Sequence, residues 1–232
     1  MKEAIIDIRL AQEFTPIIIK EIEALKIPGF EGQSLPIWRD QFTFQLGPKS
    51  DVTQSRESFG RRFITLDGAR IVQFRRDGFT YSTMSGYTNW ANAKAAAQEL
   101  WQKYCAVGKP KDVSRVAVRY VNALEFPAGE DLDLYFTVAA RVPPGAPDVI
   151  SGFLHRVTVP FSDDGLISAN ITQAFEPSTG KTITLILDID VWHEHVWAVD
   201  SVEMWSSLDH LRDIKNMLFF NSVTERALEP YK

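Results

Sequence analysis

The stretch Asp188-Ile189-Asp190-Val191-Trp192-His193-Glu194-His195 is the densest run of metal-binding and proton-carrying groups in this chain. Carboxylate oxygens and imidazole nitrogens together suit a divalent cation. On an extended strand Asp188 and Asp190 project together, and so do His193 and His195. The sequence predicts a turn beginning at Trp192, which separates the two pairs, so neither a metal site nor a resident cofactor is expected. The single thiol, Cys105, falls at the end of an alanine-rich helix, where the negative end of the dipole does not favour a thiolate. There is no Gly-x-Ser-x-Gly elbow, no Gly-x-x-x-x-Gly-Lys-Ser/Thr loop and no Gly-x-Gly-x-x-Gly fingerprint.

A second set of groups is spread along the strands, on the phase opposite the apolar residues. It includes Asp7, Arg9, Gln73, Arg75, Thr80, Arg119, Arg156, Asn170, Thr172, Asp188 and Asp190. In a sheet covered by helices on one side, this phase forms the other face. It is rich in hydroxyls and amides and lacks the Lys and Glu of an ordinary solvated face, although Ser and Thr also suit strands for their own sake. Arg9, Gln73, Arg75, Arg119, Arg156, Asp188 and Asp190 are the candidate ligand-binding residues, and no catalytic residue is assigned. Arg9 and Arg119 occupy matching places in two strands and are expected near the middle of that face, about a pseudo-twofold axis. Three functions fit. The first is a non-catalytic binding or interaction protein that uses the polar face, with a small anionic ligand or a protein as partner. The second is an enzyme using Asp188 and Asp190 as acid–base groups beside the arginines. The third is a subunit that dimerises or docks through the face.

Bulk composition narrows the classes. Hydrophobic residues are 45% and charged residues 24% of 232, the balance of a chain that folds around a core. The longest apolar runs, Ile17-Ile18-Ile19 and Met217-Leu218-Phe219-Phe220, fall far short of the ~20 residues of a membrane helix. Acids interrupt the N-terminal apolar stretch at once, unlike a signal peptide, and one cysteine allows no internal disulfide. A cytoplasmic location is expected. Residues 1–112 carry 16 Lys/Arg against 13 Asp/Glu, and residues 113–232 carry 9 against 17. Neither half has the concentrated positive field that phosphate neutralisation requires, which argues against a nucleic-acid partner.

The elements that must position these groups read as follows. Ala4–Leu10 alternates as a strand, and Thr15-Pro16 opens a helix that turns Ile18, Ile22 and Leu25 inward. Strands are predicted at 42–46, 62–66, 70–75 and 79–83, with Asp-Gly turns at Asp67-Gly68 and Asp77-Gly78 and a polar loop over 47–60. Phe42, Phe44, Phe79, Tyr81, Phe153 and Phe175 fall on the apolar phase, so the core absorbs them, whereas Trp38, Trp192 and Trp197 lie in less periodic surroundings. A helix follows over 90–104, capped by Tyr87-Thr88-Asn89. The pattern then restarts with a strand at 116–121, an acidic helix over 131–137 and a proline-rich connector. Strands are predicted at 152–159, 166–175, 182–191 and 197–202. Ser206 and Asp209 have capping-box spacing for a last helix from Ser207 to about Leu228.

Each half thus reads β-α-β4-α. Ile6-Asp7-Ile8-Arg9-Leu10 matches Val116-Ala117-Val118-Arg119-Tyr120, and a tryptophan (Trp90, Trp205) stands at the start of each long helix. The expectation is one α+β domain spanning 1–232. Two pseudo-repeats, about 1–112 and 113–232, would form one long antiparallel sheet with the helices on one face. That outline is similar to the helix-grip, TATA-binding-protein-like architecture, a likeness of shape alone.

Five stretches carry a family resemblance: Ile71 to Ser82, Tyr87-Thr88-Asn89-Trp90, Val118 to Asn122, Ser151 to Leu154 and Leu187 to Val191. In this order they resemble a sporadically distributed bacterial family of uncharacterised proteins of about this length, over nearly the whole chain. The resemblance implies a bacterial or archaeal cytoplasmic protein. It brings no activity and assigns no residue.

Overall fold

Strand β1 (Glu3–Leu10) shows how the local pattern is used: it buries Ala4, Ile6, Ile8 and Leu10 and leaves Asp7 and Arg9 on the other side. The computed structural model describes residues 1–45, 51–139, 141–147, 150–176 and 182–231. The chain is α+β. Among the described residues, hydrogen-bonded antiparallel neighbours run β2 (Gln33–Gln45), β3 (Asp51–Ile64), β4 (Arg70–Arg75), β5 (Gly78–Thr83) and β1 in one series, and β6 (Asp112–Pro127), β9 (Thr182–Ala198), β8 (Ile167–Glu176) and β7 (Leu154–Pro160) in a second. The chain divides into two compact units: residues 6–114 with 196–199, and residues 1–5, 115–195 and 200 onward.

In the unit of residues 6–114, helix α1 (Ile17–Ala24) starts behind Pro16 without a side-chain cap and buries Ile19 and Ile22. Ile18 and Leu25, expected inward, are only half-buried. Strands β2 (Gln33–Gln45) and β3 (Asp51–Ile64) form a long hairpin. The loop expected over 47–60 is therefore a strand from Asp51 onward; 46–50 lie outside the described residues. Only Gly60–Ile64 of β3 pair with β4 (Arg70–Arg75), so the rest of the hairpin is a two-stranded ribbon. Away from Phe59, which is buried, the ribbon is largely exposed and needs no apolar alternation, which is why its sequence reads as loop. Phe42, expected in the core, sits on this ribbon at 54% exposed, as does Trp38 at 47%. The side chain of Phe44 lies outside the described part of the chain.

The Arg76-Asp77 turn joins β4 to β5 (Gly78–Thr83). A Cβ at Gly78 would stand 2.2 Å from the Ile8 carbonyl oxygen, so only glycine lets β1 approach here. Helix α2 (Trp90–Gly108) starts where the Asn89 side chain accepts from the Asn92 amide, and it ends on Lys109 in the left-handed region. It buries Leu100, Trp101 and Tyr104 against Phe74 and Phe79 of the hairpin.

The other unit is built on β6 (Asp112–Pro127), β7 (Leu154–Pro160), β8 (Ile167–Glu176) and β9 (Thr182–Ala198), all but the ends of β6 and β9 lying within it. A single 3-10 turn, Leu132–Leu134, capped by Asp131, replaces the acidic helix expected over 131–137. Strand β9 runs unbroken through Trp192–His195, so neither the turn expected there nor a separate strand over 197–202 exists. Helix α3 (Val202–Ser222) begins five residues earlier than its sequence suggested, because Ser201 accepts from the Met204 amide and caps it. Ser206, Asp209 and Trp205 are therefore inside the helix. It stops at Val223, which is extended and bridges to Phe136, and the short α4 (Glu225–Leu228) follows. Met204, Leu208 and Leu211 of α3 are fully buried, as are Leu185, Leu187, Ile189 and Val191 of β9.

Candidate functional site

In a strand, successive side chains point to opposite faces, so parity decides which groups of β9 can meet. Asp188 and Asp190 share one face. Odd-numbered Leu187, Ile189 and Val191 are buried on the other, and His193 continues that odd series to place its Nδ1 2.8 Å from the Ser207 hydroxyl of α3. The rings of His193 and His195 lie 5.7 Å apart. The two aspartates and the two histidines are thus separated by the sheet itself, not by a turn. Among the described residues no three His, Cys, Asp or Glu are grouped so as to hold a metal ion. Burial, followed by the neighbouring His195, lowers the His193 pKa.

The polar face of β6–β9–β8–β7 is ordered in cross-strand rows. Arg156 of β7 pairs with Thr172 of β8, and Thr172 with Asp188 of β9. Arg119 of β6 closes the row: its Nε and Nη2 donate to the two oxygens of Asp188 at 2.9 and 2.6 Å. That bidentate fork is the strongest form of a guanidinium–carboxylate contact. The hydrogen bonds to Asp188 raise the Arg119 pKa against the opposing effect of burial. The neighbouring row joins Thr158, Asn170 and Asp190, with the Thr158 hydroxyl donating to Asn170 Oδ1 at 2.7 Å. Arg115, which the sequence reading passed over, lies 3.6 Å from Asp190 and over the Trp192 ring. Arg119 and Arg156 are exposed.

The polar side of β4, β5 and β1 is more closed. Arg75 is the hub there: Nε donates to Asp77 Oδ1 at 2.9 Å, Nη2 to Asp7 Oδ2 at 3.1 Å, and Nη1 to the Thr80 hydroxyl. Thr80 in turn donates to Asp7 at 2.7 Å. Only 12% of the Arg75 side chain is exposed, and Thr80 and Ser82 beneath it are buried. Burial opposes the charge on Arg75, but Asp7 and Asp77 outweigh it and raise its pKa. Gln73 stands in the row Arg62–Gln73–Thr80. Arg9 is half exposed and reaches Asp7 and Asp77 only at 3.4 Å each. Its contacts are looser than those of Arg119, although the two match in sequence. Asp77, close to Arg75 in sequence, is thus a charge partner as well as a turn residue.

Lys215, also unforeseen, is buried on α3, with its ammonium 3.7 Å from the centroid of the Tyr120 ring. Burial lowers its pKa to about 8. Cys105 is buried enough that its thiol is pushed up to about 12, which leaves it protonated and unreactive. No protein-family model matches this chain, and no curated protein or solved structure matches it either.

Proposed function

We propose that the protein is a non-catalytic binding protein that meets a protein partner through the polar face of β6, β9, β8 and β7. The observation that carries this reading is the row Arg156–Thr172–Asp188–Arg119. It presents donors and acceptors at strand spacing, with an exposed guanidinium at each end. Its charges alternate in sign, and Asp188 and Arg119 hold each other in place. A mixed, pre-oriented surface of this kind suits the polar groups of another protein, or of a second copy of the chain, better than a bare anion. A free anion would have to compete with Asp188 for the Arg119 fork. The enzyme reading has less support, because both oxygens of Asp188 accept from Arg119 and a proton transfer there first requires opening that pair.

The same reading takes the chain to be a duplicated β-α-β4-α unit laid out in the helix-grip manner, with its helices on one face. In support, the first strand of each half pairs with the last: β1 with β5, and β6 with β9. The second half departs from the pattern in having three strands where the first has four. A reducing bacterial cytoplasm suits a chain whose one thiol is half-buried and stays protonated.

The test places a photo-crosslinking side chain at Thr172 on the face, and at the exposed Glu99 of α2 as control, in the producing cells. A discrete adduct from position 172 alone, lost when Arg119→Ala and Asp188→Ala are added, is the expected result. Equal labelling from both positions, or adducts indifferent to the row, would refute it.

A further inference from the structure

We propose that a cleft on the helix-covered side of the β4–β5 hairpin binds a small monocarboxylate with a compact apolar body. The cleft lies wholly within the unit of residues 6–114 and encloses about 370 Å³. It exists because α2 is uneven. Its second half packs Leu100, Trp101 and Tyr104 onto the sheet, whereas its first half lines the cleft with Asn92, Ala93 and Ala96, alongside Tyr81 and Thr83. Small residues leave there the space that aromatic rings fill further along.

Two side chains of the floor point to a ligand. Tyr81 and Thr83 stand two residues apart on β5, on the phase opposite Thr80, and are only 4% and 6% exposed. Both line the cleft, and neither hydroxyl has a hydrogen-bond partner among the described residues. Both hydroxyl oxygens open to the solvent of the cleft, so an acceptor on a ligand bound there would take the place of water. Both residues line the same cavity, so each can offer its hydroxyl to an acceptor group bound there.

The surroundings select a negative charge on that acceptor. Arg70, paired across from Thr83, lines the cleft and has no salt-bridge partner among the described residues. The first turn of α2 adds the partial positive charge of a helix N-terminus. Asp67 at the rim is occupied by its own turn, accepting from the Thr65 hydroxyl at 2.5 Å and the Ala69 amide at 3.0 Å. The hydrogen bond from Thr65 holds its pKa below the usual carboxylate range, so it stays ionised and disfavours a ligand with more than one negative charge.

Benzoate is the probe, with benzamide and benzylamine as neutral and cationic counterparts of the same size, followed by NMR and calorimetry on the full chain. Saturable benzoate binding that shifts Tyr81, Ala93 and Ala96, with weaker benzamide binding and none by benzylamine, is expected. Tyr81→Phe and Arg70→Gln should each weaken it about tenfold, and Ala96→Leu should abolish it by filling the cleft. Without ligand, Tyr81→Phe should leave the melting temperature unchanged or higher, since its hydroxyl holds nothing. The proposal is overturned by absence of saturation up to about 10 mM, by equal binding of benzylamine, or by a clear loss of stability in ligand-free Tyr81→Phe.

Discussion

Arg75 on β4 and Asp7 on β1 meet at 3.1 Å across the intervening strand β5, whose Thr80 hydroxyl donates to the same carboxylate oxygen. Three strands are thereby tied by one shared group. The backbone of Arg75 is held as well, since the buried Tyr104 of α2 donates to its carbonyl at 2.8 Å. Removing one partner of a mostly buried ion pair leaves the other charge uncompensated. Asp7→Asn should therefore destabilise the protein by roughly 3 kcal/mol, and Thr80→Val by about 1 kcal/mol. A double-mutant cycle by urea denaturation should show the two losses to be non-additive, and full additivity would contradict a shared network.

The Arg119–Asp188 pair should behave differently. Its geometry is better, but Arg119 is 46% exposed, so water replaces much of what a substitution removes. Arg119→Lys keeps the charge and loses the fork. We expect a cost of no more than about 1 kcal/mol, with the melting temperature nearly unmoved. A loss of several kcal/mol would reassign the pair to the scaffold.

Lys215 sets a pH dependence on the alkaline side. Its folded pKa, about 8, lies below its ordinary value of 10.5, so the folded state disfavours the charged amine. Below pH 8 the protein bears the full penalty of a buried ammonium, partly offset by the Tyr120 ring. The penalty is relieved as pH rises from about 8 to 10.5. Lys215→Met should raise stability by about 1–3 kcal/mol at about pH 7, and the difference from the parent should shrink by about pH 10. A constant difference across that range in denaturation curves would show that the amine titrates normally.

Gly108 is required by packing and not by its backbone angle. A Cβ there would fall 1.9 Å from the Phe14 ring, and Phe14 also packs against the Tyr104 ring. Gly108→Ala should cost about 1–3 kcal/mol despite alanine's better helix propensity. Phe14→Leu in the same chain should recover part of that loss, and calorimetry of the two variants checks it.

Much of the fold was legible because apolar periodicity is a local signal. The alternation in β1 and β6, the Asp-Gly turn at Asp77-Gly78 and the Asn89 cap of α2 each lie within a few consecutive residues. The candidate face was legible for the same reason, since parity alone puts Asp188 opposite Ile189. Partners in space were not. Asp7, Asp188 and Asp190 are available counter-charges by phase. Nothing in the sequence indicates, however, that Asp7 will compensate Arg75, sixty-eight residues later, more closely than its neighbour Arg9, or that Asp188 and not Asp190 will take the Arg119 fork. The ends of β9 and α3 were misread because Ser201 outcompetes Ser206 as a cap and because β8 pairs with β9 as far as His193, both outcomes of tertiary alignment. Sequence determined which faces are apolar and which polar, through the fixed geometry of strand and helix. Only the folded chain decided which charges neutralise each other and where alanines leave a cleft, because both depend on distances between segments that the local pattern does not specify.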